Sequence, residues 1–161
     1  MKKIFLTQNK IALVDDEDFE WLSENKWYYH SSDGYAARKS RRVGGKQKII
    51  YMRVEILKPR KGFQCDHVDL NKLNNCRSNL REATHAQNKH NQKRQRNNTS
   101  GYKGVTIQKR TGKFISTLYI NNEMIRLGYF DTAEDAALAY DEAAVKYHEE
   151  FARTNFHVHK E

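Results

Sequence analysis

The residue types best suited to chemistry crowd into one stretch, CDHVDLNKLNNCRSNLREATHAQNKHN, from Cys65 to Asn91. Asp66 and His67 stand side by side. An Asn-rich loop follows, then Asn79, His85 and Asn88. A buried core has little use for so many His, Asp and Asn side chains, since each needs a partner once it leaves water. A site that holds a cation and activates water needs these types. His acts as a base near neutral pH, and Asp and Asn oxygens suit a hard divalent ion. On an extended segment Asp66 and His67 project to opposite sides, one toward a metal and one toward a water.

Several elements must position these groups. Leu80, Ala83, Thr84, Gln87 and Asn88 recur at helical spacing, which predicts a helix over about 79–91. Ser78 or Asn79 can cap it, with Glu82 in its first turn. On that helix His85 and Asn88 share a face. Ahead of it, residues 1–60 read as a small α/β segment. Strands are expected at 3–6 and 11–14, joined by Gln8-Asn9-Lys10. A helix capped by Asp15 or Asp16 runs through Glu24, with Phe19 and Leu22 on one face. Strands at 27–29, 35–38 and 48–52 and a short helix at 53–57, ended by Pro59, complete the segment. Trp27, Tyr28 and Tyr29 are read as core.

The formal charge of +9 is unevenly distributed. Gly34 to Val54 holds seven Lys or Arg and no acid, and Ala83 to Asn122 holds eight and no acid. Acids gather at 15–20 and 131–150. Such segregation suggests one face turned to a polyanion. In the loop 38–46, Arg38, Arg41 and Arg42 are candidate phosphate contacts. Residues 91–100 (NQKRQRNNTS) read as a polar linker, and Lys93, Arg94 and Arg96 can lie along a nucleic-acid groove. Cys65 and Cys76 lack zinc spacing, so no zinc is expected and a reduced cytoplasm fits. No N-terminal signal pattern or apolar run of membrane-spanning length occurs, so no membrane partner is expected.

From Gly101 the pattern changes. Strands are expected at 102–108, 113–120 and 124–129, with turns at Arg110-Thr111-Gly112 and Asn121-Asn122-Glu123. Phe114, Ser116, Leu118 and Ile120 point one way by the period of two. A helix follows to about Glu150, with a capping box for Thr132 and Asp135. Ala133, Ala136, Ala137, Tyr140, Ala143, Ala144 and Tyr147 form its apolar stripe. One sheet face is left polar and basic, and a major groove accepts β structure.

The set Asp66-His67, Asn71 to Asn75, Asn79-Leu80-Arg81 and Gln87-Asn88 resembles the HNH endonucleases, most of all the phage and intron-borne branch. In that branch D-H-x-(D/N)-x-x-x-x-(D/N)-N leads into N-L-R and then Q-N. The acidic run 15–18 and Trp27 are similar to the branch's N-terminal part. The resemblance implies a ββα-metal core over about 63–91. It implies His67 as general base, Asn79 as its support, and Asp66 and Asn88 as ligands of one divalent metal, Mg²⁺ or else Mn²⁺. Many HNH enzymes carry a second His where Asn88 stands, and His85, one turn earlier, could contact metal or phosphate. His90 is read as a surface histidine.

Gly104-Val105, the run 127–137, Ala139-Tyr140-Asp141, Ala143-Ala144 and Thr154-Asn155-Phe156 resemble the AP2 DNA-binding domain. The resemblance implies DNA contacts from Thr106, Gln108, Arg110, Thr117, Tyr119, Met124 and Arg126. Several of the family's arginines are replaced here by Thr, Tyr or Met.

The expected class is therefore α+β. An HNH nuclease domain spans 1–90, a basic linker 91–100, and an AP2 domain 101–157, a three-stranded antiparallel sheet packed on one helix. The expected activity is that of a site-directed DNA endonuclease of the homing type. It would nick duplex DNA as a monomer and leave 5′-phosphate and 3′-hydroxyl ends. No obligate protein partner is evident, and the setting is a bacterial host cytoplasm with a phage- or intron-borne gene. One rival is an AP2-type DNA-binding regulator with an inactive nuclease-like domain. Another is an RNA-acting nuclease, for which no recognisable RNA-binding pattern is seen.

Overall fold

The chain opens with two short strands, β1 (Lys2–Phe5) and β2 (Ile11–Val14), paired antiparallel around a 3-10 turn. Their inward residues Ile4, Ala12 and Val14 are buried, as period-two patterning requires. In this computed structural model, residues 1–121 and 123–156 are described. Asn122, expected in a turn, and residue 157, the expected domain end, lie outside them. Among the described residues no helix is long and apolar enough to cross a membrane. The chain divides into two units, Met1–His85 and Ala86–Glu161.

In the first unit, helix α1 (Asp16–Ser23) begins with Asp16, Glu17 and Asp18, where acids suit the helix dipole. Asp15 has cap geometry but makes no side-chain cap. Its carboxylate accepts the backbone N–H of Arg77 instead. Asp18 is 1% exposed and takes the Arg77 guanidinium through two bonds of 2.8 and 2.7 Å. Part of the expected acidic surface thus holds the chain together. Trp27 Nε1 donates to Leu22 O near the helix end.

A three-stranded sheet follows: β3 (Tyr28–His30), β4 (Tyr35–Lys39) and β5 (Ile49–Tyr51), in that spatial order. Helix α2 (Met52–Leu57) buries Met52 and Ile56, four apart on one face, and ends at Lys58 in a left-handed conformation. These pieces close one core built on Leu6, Val14, Leu22, Trp27, Met52 and Leu80.

Then comes a hairpin, β6 (Gln64–His67) and β7 (Leu80–Ala83), followed by helix α3 (His85–His90). This corrects the helix expected over 79–91. Leu80 and Ala83, three apart, mimic helical spacing, but β6 needs a hydrogen-bonding neighbour and residues 80–83 supply it. Asn79 ends a 3-10 turn rather than capping a helix. Glu82 accepts the Arg60 backbone N–H and Nε.

In the second unit, β8 (Val105–Ile107), β9 (Phe114–Ile120) and β10 (Glu123–Phe130) form an antiparallel meander. Helix α4 (Ala133–His148) covers one face. Thr132 Oγ1 accepts Asp135 N and caps it. Leu118, Ala136, Ala137, Tyr140 and Ala144 are buried between sheet and helix. Tyr147 departs from the expected stripe and is half exposed, while His148, one residue on, is buried. Gly104 has φ +77°, and a Cβ there would lie 1.9 Å from Tyr140 Cδ2. Only glycine lets this ring lie against the turn.

Candidate functional site

Asp66 and His67 lie on β6, in register with Arg81 and Leu80 of β7. Both acid and imidazole are 4% exposed. Asp66 Oδ2 accepts Arg81 Nε at 2.9 Å, and Nη2 lies 2.9 Å from the same oxygen. The hairpin register thus builds a cross-strand ion pair at the expected metal ligand.

His67 sits in a mixed environment. Its Nε2 lies 3.4 Å from Asn75 Oδ1. The Asn75 amide nitrogen donates to Leu73 O, which leaves Oδ1 as acceptor and Nε2–H as donor. The neutral ring then carries its lone pair on Nδ1. The Tyr35 ring stacks on His67 with centroids 5.7 Å apart. Burial lowers the His67 pKa to about 4, and the nearby Arg53 guanidinium pushes the same way. At neutral pH the imidazole is an uncharged base.

The loop from Val68 to Cys76 is fastened from within. Asp69 accepts Asn71 N at 2.7 Å, Asn74 Nδ2 at 2.8 Å and Asn79 Nδ2 at 2.9 Å. Burial raises the Asp69 pKa, but these bonds outweigh it and hold the carboxylate below its ordinary range. Asn79 also donates to Asn74 O and accepts Asp69 N. Asn79 therefore ties the loop to β7, while Asn75 is the amide beside the His67 ring. The D-H-x-(D/N) and (D/N)-N positions of the motif already marked Asp69 and Asn75, without assigning them a task.

Arg53 on α2 is a further residue that sequence reasoning passed over, although it lies in the acid-free run 34–54. Its guanidinium lies 3.6 Å from the Tyr35 ring centroid. Its Nε is buried with no hydrogen-bond partner among the described residues. A half-buried cation with a buried, unspent donor beside a histidine base suits an anionic oxygen. Lys72 Nζ lies 4.8 Å from the same Tyr35 ring.

Among the described residues no three His, Cys, Asp or Glu side chains gather in one place. A cation drawing on Asp66 would therefore complete its shell with amide oxygen, water and phosphate, a set that suits Mg²⁺. The division between units falls after His85, so Asp66, His67 and Asn79 belong to the first and Asn88 to the second. His85 is exposed. His90, expected on the surface, is half buried and stacks on His148 with centroids 3.5 Å apart.

The expected phosphate contacts fall into two groups. Arg38 is already occupied, donating to both Glu55 oxygens at 2.8 and 2.7 Å. Arg41, Arg42, Lys93, Arg94 and Arg96 are exposed. The end of the expected linker is anchored rather than loose: Asn98 Nδ2 and Ser100 Oγ donate to Val105 O. On the sheet, Thr106, Arg110, Tyr119, Met124 and Arg126 are exposed, and Gln108 and Thr117 are half exposed.

No protein-family model matches the chain. "Uncharacterized HNH endonuclease L560" of Acanthamoeba polyphaga mimivirus is 31% identical over 144 residues, 89% of this chain and 74% of that protein. "Protein 3.8" of Escherichia phage T7 is 33% identical over 93 residues, 58% of this chain and 76% of that one. "APETALA2-like protein 2" of Oryza sativa subsp. indica is 43% identical over 63 residues, 39% of this chain. The chain spans only 14% of that plant protein's length.

Proposed function

Because the chain belongs to the family of the mimivirus protein that bears the name HNH endonuclease, we propose that it hydrolyses phosphodiester bonds in duplex DNA. The observation that carries this reading is the His67 environment: a buried, uncharged base beside a buried carboxylate and an arginine with an unspent donor. In this reading His67 Nδ1 takes the proton from a water that attacks phosphorus, and the 3′ oxygen leaves with the bonding pair and takes a proton from solvent water. Asn75 holds the ring in the required tautomer. Arg53 meets a non-bridging phosphate oxygen. Asp66 and Asn88 would hold one divalent cation, Mg²⁺ or Mn²⁺. That ion supplies positive charge to the crowded phosphate and the leaving oxygen. Products carry 5′-phosphate and 3′-hydroxyl ends, and one such site per chain nicks one strand.

The exposed cations at 41–42 and 93–96 and the open sheet of the second unit supply the grip on DNA. A homing role and a phage or intron origin are part of the same reading.

A second reading is favoured by two observations: Asp66 is already paired with Arg81, and the identity to the rice protein exceeds that to the viral one. It makes the chain a DNA-binding regulator with an inactive nuclease-like unit. Plasmid relaxation in Mg²⁺ separates the two. Nicking by wild type that vanishes in His67→Ala, with DNA affinity retained, supports the nuclease. Equal binding by both proteins with no relaxation by either leaves the regulator.

A further inference from the structure

The face of the second unit's sheet that α4 does not cover is less polar and less basic than the sequence pattern predicts. In β9, Ser116 and Leu118 are buried toward α4, so Ile115, Thr117 and Tyr119 point the other way. Register sets Tyr119 across from Met124, Thr117 across from Arg126 and Ile115 across from Tyr129. Directly paired residues share a face, so these six form one surface. Tyr119 and Met124 are each 57% exposed and Tyr129 is 47% exposed. Arg126 is the one cation among the six, and its Nη1 already donates to Tyr129 Oη at 2.8 Å.

Charge indicates what lies against this face. Lys109 and Arg110 are exposed at the turn between β8 and β9. The acids Glu134, Asp135 and Glu142 are exposed on α4, across the sheet. A polyanion is therefore favoured on the open side and disfavoured on the helix side. A major groove is wide enough for two β-strands.

What such a surface reads follows from its chemistry. Guanine is read by a bidentate arginine or lysine, whereas thymine is distinguished by apolar contact with its 5-methyl group. Here the cation is single and already engaged, and the exposed area is methyl, thioether and ring. We propose that this face reads thymine methyl groups in the major groove, so that the chain prefers A·T-rich duplex DNA. The inference rests on the reading of duplex DNA as the partner.

The test uses the full chain in EDTA, where a metal-dependent nuclease does not cut. Duplexes are selected from a random pool, and the best is resynthesised with uracil in place of thymine, which removes only the methyls. The selected sites are A·T-rich, and binding weakens about fourfold for each contacted methyl removed. In a Tyr119→Ser, Met124→Ser double variant the thymine–uracil affinity ratio shrinks to less than about twofold. Selection of G·C-rich sites, or equal affinity for the two duplexes, overturns the inference and leaves duplex DNA as partner. A concentration-dependent dimer closed over this face, without DNA binding, overturns both.

Discussion

The Nε2 atom of His67 lies 3.4 Å from the Oδ1 atom of Asn75, a side chain buried to 1% exposure and pinned by its own bond to Leu73 O. The amide fixes which imidazole nitrogen carries the proton. Asn75→Ala removes that preference and leaves the ring free to turn. Plasmid nicking by Asn75→Ala is expected to slow about 100-fold. A rate within a factor of two of wild type, in a variant that melts normally, removes Asn75 from the machinery.

The buried His67 ring also links stability to pH. Its folded pKa, about 4, lies below the ordinary 6.5. The folded chain resists taking this proton, so the contribution is fully present above pH 6.5 and is lost as pH falls from there toward 4. The difference amounts to about 3 kcal/mol. Ring NMR of the metal-free protein should show a His67 midpoint near 4, and His67→Gln should melt with less acid sensitivity than wild type. A midpoint near 6.5 in the native protein contradicts the buried environment.

Arg53 should matter twice. In the proposed role of phosphate contact, replacement of Arg53 in Arg53→Met is expected to cut cleavage about 100-fold. As a cation that lowers the His67 pKa, its loss should raise the His67 midpoint. Reduced cleavage with an unmoved midpoint would locate its effect elsewhere than beside the ring.

Asp66 and Arg81 form a nearly buried pair, 4% and 14% exposed in their side chains. Removing only the cation, in Arg81→Met, strands the carboxylate and should cost about 3–5 kcal/mol in urea unfolding. Asp66→Asn combined with Arg81→Met should recover part of that loss. A single variant as stable as wild type would mean that the pair opens to water.

Gly104 meets the Tyr140 ring so closely that an added Cβ has no room. Gly104→Ala combines that overlap with a strained positive φ and should destabilise the second unit by more than about 2 kcal/mol. Thermal melting of the full chain checks this, with Gly112→Ala as a control: it too has positive φ, but nothing stands within 4 Å.

Sequence carried the second unit almost whole. Its alternation in β9 and the Thr132 cap are local signals that burial merely ratifies. The hairpin of the first unit was less legible. Leu80 and Ala83 satisfy a helical spacing as well as a strand, and only the need of residues 64–67 for a neighbour decides between them. The Asp-His pair was visible at once. The ion pair to Arg81 was not, because cross-strand register is set by a loop whose internal bonds to Asp69 appear in no periodicity. Arg53 escaped for a related reason: its worth lies in a buried Nε, and burial of one atom is a property of packing.

The Asp66–Arg81 pair has a consequence for biosynthesis. A newly made chain carries its own counter-charge, so the hairpin can mature before any ion arrives. In the proposed nuclease, a cation drawn to Asp66 exchanges against the Arg81 guanidinium rather than filling an uncompensated hole.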